Sequence, residues 1–488
     1  MSCRKLFALA LFGVWAHSGF AGATDAITTA VALRGQGDFK EAANVLTAAL
    51  QKEKLSADER KKVELQIDLI ERTRQDYTTT KEQLAKQLSG SLKNFTAKEF
   101  ERWIAEGRFD SRPIDGTTYF VDTSLRNLYY RYPELEARRR QPRSEARLRR
   151  AMLENCRAIK KAAAAEKKPY VLPYRFRCAM TVTADKNAAP AGETIRAWVP
   201  IPREYPFQTD FKLLSVSPAG ALLDVKTSPI RSAYFEQIAQ KDQPTIFKVA
   251  YEYTMYGVHF DLRPSDIRPI DLSDPELKKF IGEAPHVVFT PKMKKLAEEV
   301  AGHETNPMLK AKAFFDWISG HIQFSLAREY STLTNLSDYC LANGYGDCGQ
   351  EAMLFITLCR AQGIPARWQS GWNFFPGAKS NHDWVEIYLA PYGWMPADPC
   401  AGIGAMRAAA LTADERRELR DFYFGGLNQY RMIANSDHTQ ELRPPKQSMR
   451  SDDVDFQRGE LEYGNTNIYL DKYNYDLTVE RLSPPKAH

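Results

Sequence analysis

The hydrophobic pattern changes its period near residue 170, and this change divides the chain into a helical part and a strand-rich part. Before it, apolar residues recur at helical spacing, as in ALRGQGDFKEAANVLTAALQ. After it, YRFRCAMTV and IFKVAYEYTM alternate apolar with polar residues, and segments bounded by Gly and Pro lie between them. The sequence therefore predicts a helical N-terminal module over 24–168 and an antiparallel β-sandwich over 169–275.

The length and composition indicate a folded protein with several domains. A chain of 488 residues is too long for one hydrophobic core. With 43% hydrophobic and 26% charged residues, its composition excludes a mostly disordered chain. The formal net charge of +6 is small for this length and gives no indication of a nucleic-acid partner. The arginine-rich segment 138–150 is a local exception, and we interpret it as a solvated helix or linker face rather than an anion-binding site.

The first 23 residues have the character of a secretory signal peptide. Arg4 and Lys5 precede an apolar run, and the small residues AGA at 21–23 provide a cleavage site. The apolar run is too short to span a bilayer, and no later stretch is apolar enough to do so. We therefore predict a signal peptide over 1–23, no transmembrane segment in the mature chain, and export to the periplasm or the medium.

Six of the seven cysteines follow this predicted cleavage site, and their spacing matches neither a compact disulfide scaffold nor a zinc site. Cys178 lies on the apolar face of a predicted strand and is expected to be a core residue. Pairing of Cys156 with Cys178, or of Cys340 with Cys400, stays open. No cofactor or metal site is predicted, and the aspartates within 452–455 are expected to form a solvated loop.

The segment YGDCGQEAMLFITLCRAQGIPAR places Cys348 at the start of a predicted helix. Helical spacing begins after Asp347, and Gly363 with Pro365 ends it. The unpaired N–H groups and the positive end of a helix stabilise a thiolate, so Cys348 is a candidate nucleophile. Cys359 lies in the apolar stripe of the same helix and is expected to be buried and unreactive.

Two strand patterns follow this helix, HDWVEIYL beginning at His382 and YGWMPADP containing Asp398. A nucleophilic cysteine needs an imidazole to accept its proton, and the imidazole needs an acceptor that fixes its orientation. Alternation places His382 and Trp384 on one face of the strand and Asp383 on the other. His382 and Asp398 share a face only if the hairpin has the right register, which favours an odd-length loop or a bulge.

GDCGQEAMLF, GIPARWQSGW, HDWVEIYL and GWMPADP resemble the transglutaminase-like superfamily, whose core is a papain-like Cys-His-Asp fold. The resemblance covers about residues 285–400, and IRAWVPIPREYPFQTDFKLLSVSP is similar to the β-sandwich that often precedes this core in bacterial members. It implies Cys348 as nucleophile, His382 as general base and acid, and Asp398 as its orienting partner. The backbone N–H of Cys348 and the side chain of Tyr330 are candidate oxyanion donors.

These patterns predict an α+β multidomain protein in which a papain-like, transglutaminase-like α+β core (276–410) and a mixed C-terminal extension with strands (411–488) follow the helical module and the sandwich. The predicted function is that of an exported thiol amidohydrolase or peptidase, acting through a thioester on peptide, protein or cell-envelope amides. Two alternatives remain open. One is protein-glutamine acyl transfer, or cross-linking, by the same triad, and the other is an envelope interaction protein with a silent enzyme-like domain.

Overall fold

A computed structural model describes residues 22–52, 54–142 and 144–482. The predicted signal peptide, 1–23, lies outside these residues apart from Gly22 and Ala23. The described chain combines helices with several antiparallel sheets, which confirms the mixed α+β class. It divides into two compact units, one comprising the chain up to Arg74 with Ser111–Tyr119, the other Gln75–Asp110 with the chain from Phe120 onwards.

The first unit is built on a pair of helices that pack against each other through Ala26, Val45 and Ala49. Gly37 ends the first helix with a φ of 96°, and a Cβ at this position would lie 3.0 Å from the Pro113 carbonyl oxygen. Glycine is therefore required at this turn. The helices are α1 (Ala23–Gln36), α2 (Phe39–Lys52) and α3 (Ala57–Asp76), the last of which ends in the second unit.

The region predicted as a helical module also contains short strands, which are too short for an alternating pattern to be visible in the sequence. They are β1 (Tyr77–Thr79), β2 (Ser111–Ile114) and β3 (Thr117–Val121). In the second unit, Leu88, Phe100, Trp103 and Leu128 form a hydrophobic core between short helices. These helices are α4 (Lys81–Ser91), α5 (Ala97–Ala105), α6 (Ser124–Arg131) and a 3-10 turn at Pro133–Arg138.

The arginine-rich segment 138–150 is more than the solvated face that the sequence suggested. Arg138 donates to both carboxylate oxygens of Glu99, at 2.7 and 2.8 Å, and Arg150 pairs with Glu415. These carboxylates lie far away in sequence, so the pairing could not be inferred from the local charge pattern. The segment leads into α7 (Ala146–Glu166), which packs against two long strands.

Two five-stranded antiparallel sheets share one hydrophobic core, to which Phe176, Met180, Ala197, Phe235 and Val249 contribute. One sheet contains β4 (Tyr170–Ala184), β6 (Gln208–Ser217), β9 (Thr245–His259), β15 (Gly426–Leu427) and β19 (Tyr473–Leu482). The other contains β5 (Thr194–Pro200), β7 (Leu222–Leu223), β8 (Ser232–Ile238), β17 (Glu460–Tyr463) and β18 (Thr466–Ile468).

The segment 169–275 does not complete these sheets on its own. β19 pairs with β4 along its whole length, from Tyr473 opposite Ala184 to Leu482 opposite Arg175, and β17 pairs with β5. The last strands of the chain therefore belong to the same layers as the first ones. The sequence shows that such strands exist but not which strand they pair with.

The predicted catalytic region is a four-stranded antiparallel sheet covered by helices. Its strand order is β14-β13-β12-β16, formed by β12 (Ala366–Phe375), β13 (Ala378–Leu389), β14 (Gly393–Ala397) and β16 (Arg431–Asn435). A short parallel pair, β10 (Gln323–Phe324) and β11 (Tyr345–Gly346), lies outside it. The helices are α8 (Pro275–Lys278), α9 (Pro291–Ala301), α10 (Pro307–His321), α11 (Leu336–Asn343), α12 (Cys348–Ala361), α13 (Pro399–Met406) and α14 (Ala413–Phe422). Since α12 packs against β12 and β13, its first residue lies near the sheet.

All six cysteines of the described chain are free thiols, so neither of the two pairings left open by the sequence is formed. Cys178 is 1% exposed within the shared core, as expected for a structural residue. Among the described helices, none has both the length and the apolar character needed to cross a bilayer.

Candidate active site

Cys348 is the first residue of α12, as the sequence predicted. Asp347 caps the helix: its Oδ1 accepts from the Gln350 backbone N–H at 3.1 Å, and the Gln350 side chain accepts from the Asp347 N–H at 3.2 Å. This reciprocal capping box fixes the helix start at Cys348. Cys348 is partly exposed whereas Cys359 is fully buried, which confirms the expected contrast in accessibility within the helix.

The Cys348 sulfur hydrogen-bonds to a carboxyl group. Its Sγ donates to Asp383 Oδ2 at 3.3 Å. Burial, followed by the negative charges of Asp383 and Asp347, raises the pKa of the Cys348 thiol well above its usual value. The expected stabilisation of a thiolate by the helix N-terminus is therefore outweighed, and Cys348 is a neutral thiol in this arrangement.

The structure brings His382 and Asp398 together. In the β13–β14 hairpin Leu389 pairs with Gly393, which leaves 390–392 as an odd-length loop, as the register argument required. His382 Nε2 lies 2.9 Å from Asp398 Oδ2. Within the part of the chain that the structure describes, no hydrogen bond joins Cys348 to His382. The predicted histidine–aspartate half of the triad is thus in contact, whereas the sulfur has a different partner.

Asp398 is fully buried and is held by several donors. It caps α13 by accepting from the Ala401 N–H at 2.9 Å, and Arg431 Nη2 donates to its Oδ2 at 2.7 Å. Burial alone would raise the pKa of Asp398, but the positive charges of His382 and Arg431 and the hydrogen bonds outweigh it and lower that pKa below its usual value. Asp398 is therefore a carboxylate that accepts the proton of His382 Nε2–H.

Arg431 is a site residue that the sequence reasoning missed. It begins β16, is 2% exposed, and its guanidinium lies over the Trp384 ring with the central carbon 4.6 Å from the centroid. The sequence signal for this residue was an arginine at the start of the apolar strand RMIAN, because a buried guanidinium needs a carboxylate partner. The sequence does not identify that partner.

Gln457 is a second residue that was missed. Its Nε2 donates to Asp383 Oδ1 at 2.6 Å, and its backbone carbonyl accepts from Trp372 Nε1 at 2.9 Å. Asp383 and Gln457 are 2% and 1% exposed. A residue near the C-terminal end of the chain thus fixes the carboxyl group that contacts Cys348, and no pattern around Gln457 indicated this.

The acidic segment 452–455 does not form the solvated loop that the sequence suggested. Arg458 lies 3.0 Å from Asp452, 3.7 Å from Asp455 and 3.8 Å from Glu329, and all of these side chains are at least half buried. Burial raises the pKa of Asp455 to about 7; Arg458 opposes this shift, whereas Asp452 and Asp347 add to it. Among the described residues, no group of three or more His, Cys, Asp or Glu side chains is arranged to bind a metal ion.

Tyr330, the candidate oxyanion donor, lies beside Gly349 and directs its hydroxyl to the helix cap. Its OH donates to Asp347 Oδ1 at 2.5 Å, and the residue is 5% exposed. A Cβ added to Gly349 would lie 2.1 Å from this hydroxyl oxygen, so glycine is required after the cysteine. Tyr330 has a single hydroxyl proton, and in this structure that proton is donated to Asp347.

Comparison with known proteins assigns this region to a family. Residues 294–399 match the model of the Transglutaminase-like superfamily, and this part of the chain is therefore a transglutaminase-like domain. An uncharacterized protein of Haemophilus influenzae is 23% identical over 238 residues, which represent 42% of this chain and 63% of the relative. The chain thus spans less than two thirds of the length of that relative.

Solved structures with detectable similarity include bacterial proteins. One, from Cytophaga hutchinsonii, is described as a "Putative Cysteine Protease"; it is 16% identical, with a TM-score of 0.44 over 65% of this chain and 94% of its own. Another is the periplasmic domain of TgpA from Pseudomonas aeruginosa, also 16% identical, with a TM-score of 0.24 over 55% of this chain and 96% of that domain.

Proposed function

We propose that this protein is an exported thiol amidohydrolase or peptidase that cleaves peptide, protein or cell-envelope amides through a thioester on Cys348. His382 acts as general base and acid, and Asp398 orients it. The observation that carries the proposal is the contact of 2.9 Å between His382 Nε2 and the buried Asp398 carboxylate, within a transglutaminase-like domain whose cysteine opens a buried helix. The signal-peptide pattern of residues 1–23 supports export.

The hydrogen bond that His382 already makes identifies the ring nitrogen that can accept the Cys348 proton. Because His382 Nε2 donates to the Asp398 carboxylate, Nδ1 is the nitrogen that is free of a proton in the neutral ring. Since the pKa of Cys348 is raised, the thiol does not lose its proton before substrate binds. Nδ1 therefore accepts the Sγ proton as the sulfur attacks the amide carbon, and the same nitrogen then protonates the leaving amine.

The fate of the thioester distinguishes hydrolysis from acyl transfer. Attack by water on the acyl carbon releases a carboxylic acid and the free thiol, whereas attack by an amine forms a new amide. We propose water as the acceptor because it is abundant outside the cell and the sequence carries no EF-hand calcium loop of the kind that would regulate a cross-linking enzyme. The backbone N–H of Cys348 is the proposed oxyanion donor.

Trapping of the acyl-enzyme tests this function. The mature protein and its Cys348→Ala and Cys359→Ala variants are incubated with a pool of casein peptides, quenched in acid, and examined by mass spectrometry. We expect an acyl adduct on Cys348 that hydroxylamine removes, with peptide cleavage that falls at least about a thousandfold in Cys348→Ala. Cys359→Ala is the matched control from the same helix and should keep both signals.

A parallel reaction with dansylcadaverine identifies the acceptor. Cleaved peptides with free carboxyl ends support hydrolysis, and dansyl-labelled glutamine residues would instead assign the protein to acyl transfer. Absence of both products and of any adduct, with a folded protein and a peptide pool representing every residue type, would contradict an enzymatic role and favour an envelope interaction protein.

A further inference from the structure

The hydrogen bond of Cys348 differs from the one that its proposed role as nucleophile requires. The sulfur donates to Asp383 Oδ2 at 3.3 Å, while His382, the next residue along β13, is engaged with Asp398. Neighbouring residues of a strand point to opposite faces, so the side chains of His382 and Asp383 leave β13 on opposite faces of the sheet. Among the described residues, the Cys348 S–H is therefore bonded to Asp383, and His382 is bonded to Asp398 instead.

Asp383 is held in place by a residue outside the family match. Gln457 Nε2 donates to Asp383 Oδ1 at 2.6 Å, and Gln457 itself is fixed because Trp372 Nε1 donates to its backbone carbonyl at 2.9 Å. Both side chains of the pair are almost completely buried. One oxygen of Asp383 thus binds the sulfur, while the other is occupied by the amide, so this carboxyl group has a defined orientation.

The charged surroundings of the sulfur are acidic. Besides Asp383, four titratable groups interact with Cys348. Asp347 caps its own helix, Cys400 lies in α13, Asp455 lies in the C-terminal segment, and Tyr330 lies in the turn before α11. Arg458, a cation of the C-terminal segment, is engaged with Asp452, Asp455 and Glu329. Burial and the charges of Asp455 and Asp347 raise the pKa of Asp383 well above its usual value.

We propose that Asp383, fixed by Gln457, is a positioning residue that directs the Cys348 S–H towards its own carboxyl group and away from His382, so that the nucleophile rests as a thiol and reacts only when this hydrogen bond is released. The inference rests on the proposed role of Cys348 as the nucleophile. A carboxyl group at this distance disfavours the thiolate, because two neighbouring groups cannot both carry a negative charge in a buried site. Asp383 therefore keeps the protein unreactive towards small electrophiles in the absence of substrate.

Alkylation of Cys348 by iodoacetamide, measured against pH by peptide mass spectrometry, tests the proposal with no amide substrate. Asp383→Asn keeps the size of the side chain and removes its charge. We expect the midpoint of the pH profile for Cys348 to fall by about one unit or more, so that alkylation at neutral pH becomes about tenfold faster. Cys359 in the same samples and the Asp414→Asn variant, whose side chain is 91% exposed in the parent, serve as controls and should not change.

Gln457→Met is the second variant, and it decides the outcome if Asp383→Asn does not fold. Without the amide donor, Asp383 binds its proton more tightly and its charge acts less on Cys348. The midpoint should therefore move in the same direction by a smaller amount. An unchanged midpoint in a folded variant, or one that moves to higher pH, would overturn the proposal.

The failure of this inference and the failure of the proposed function are distinguishable. Unchanged alkylation profiles together with an intact acyl-enzyme signal would remove the role of Asp383 and leave the amidohydrolase. Shifted profiles without any acyl adduct would leave the Asp383 contact and remove the amidohydrolase.

Discussion

The site contains two buried aspartates whose surroundings are opposite in charge. Burial alone would raise the pKa of Asp398, but its interactions with His382 and Arg431 lower that pKa below its usual value. Asp383 faces Asp455 and Asp347, and its pKa is raised well above the usual range. Asp383 lies in the middle of β13 and Asp398 directly follows β14, and both are buried, so the difference between their pKa values comes from their neighbours.

This difference separates the site into a basic half and an acidic half. In the basic half, formed by His382, Asp398 and Arg431, the Asp398 carboxylate accepts hydrogen bonds from the other two side chains. In the acidic half, formed by Cys348, Asp383 and Asp455, ionising one group disfavours the ionisation of the others. Groups whose pKa values are driven apart in this way are suited to different roles in proton transfer.

Removal of the cation from the basic half should have the largest effect. Arg431→Met leaves Asp398 buried without its arginine partner, and breaking a buried charge pair costs about 3–5 kcal/mol. We expect a loss of that size in the free energy of unfolding, measured by urea titration of tryptophan fluorescence. Because Asp398 then holds its charge less well, the stability lost in acid should also begin at a higher pH than in the parent.

The loss of stability in acid follows from the lowered pKa of Asp398 in the folded protein. The folded-state pKa of Asp398 is depressed, so its contribution is present above its unfolded value of about 4 and is lost as pH falls through the folded pKa. Arg417→Met is the matched control, because its pair with Asp414 is exposed and should contribute about 1 kcal/mol or less. If the two variants were equally stable, Arg431 would have no special role in holding Asp398.

Neutralising one carboxylate of the acidic half should raise the stability of the protein, in contrast to the loss expected for Arg431→Met. The pKa of Asp455 is raised to about 7, so the stability that is complete below its unfolded value is lost as pH rises through about 7. Asp455→Asn should leave stability at about pH 4 almost unchanged and should raise it by about 1 kcal/mol or more near pH 8. Thermal unfolding at the two pH values measures this.

The exposed Asp414→Asn again provides the control for Asp455→Asn, since its removal should change stability little at either pH. Equal or lower stability of Asp455→Asn at the higher pH would show that the pairing with Arg458 outweighs the repulsion among the carboxylates. The acidic half would then be a network of ion pairs and not a group of carboxyl groups that repel one another when ionised.

The sequence around each residue was sufficient to predict where α12 begins and which hairpin loop would bring His382 close to Asp398. Helical spacing after Asp347 placed Cys348 at the start of α12, and the odd loop at 390–392 brought His382 and Asp398 together. Those relations depend on helix capping and on hairpin register, which nearby residues determine. The burial of Cys359 followed from its place in the apolar stripe.

The partners that set the charges could not be predicted, because they come from distant parts of the chain. Arg431 reaches Asp398 through the pairing of β16 with β12, and Gln457 reaches Asp383 from a segment that lies beyond the family match. Alternation assigned Asp383 to the face opposite His382 but did not identify what packs against that face. The aspartates at 452–455 were wrongly expected in solvent because Arg458 is recognised as their partner only in the folded chain.

The last expected effect concerns Tyr330, which connects the acidic half to the start of α12. Its hydroxyl donates to Asp347 at 2.5 Å, so Tyr330→Phe leaves a buried carboxyl oxygen without that donor and should cost about 1–3 kcal/mol of stability. If this positioning of the helix cap is its main role, peptide cleavage at saturating substrate should fall by less than about tenfold, whereas loss of an oxyanion donor lowers kcat about 10²- to 10³-fold. Tyr339→Phe, a half-buried tyrosine of α11, is the control for loss of a hydroxyl elsewhere. A hundredfold or larger drop in kcat with unchanged stability would restore Tyr330 as the oxyanion donor and would show that its hydroxyl leaves Asp347 when substrate binds.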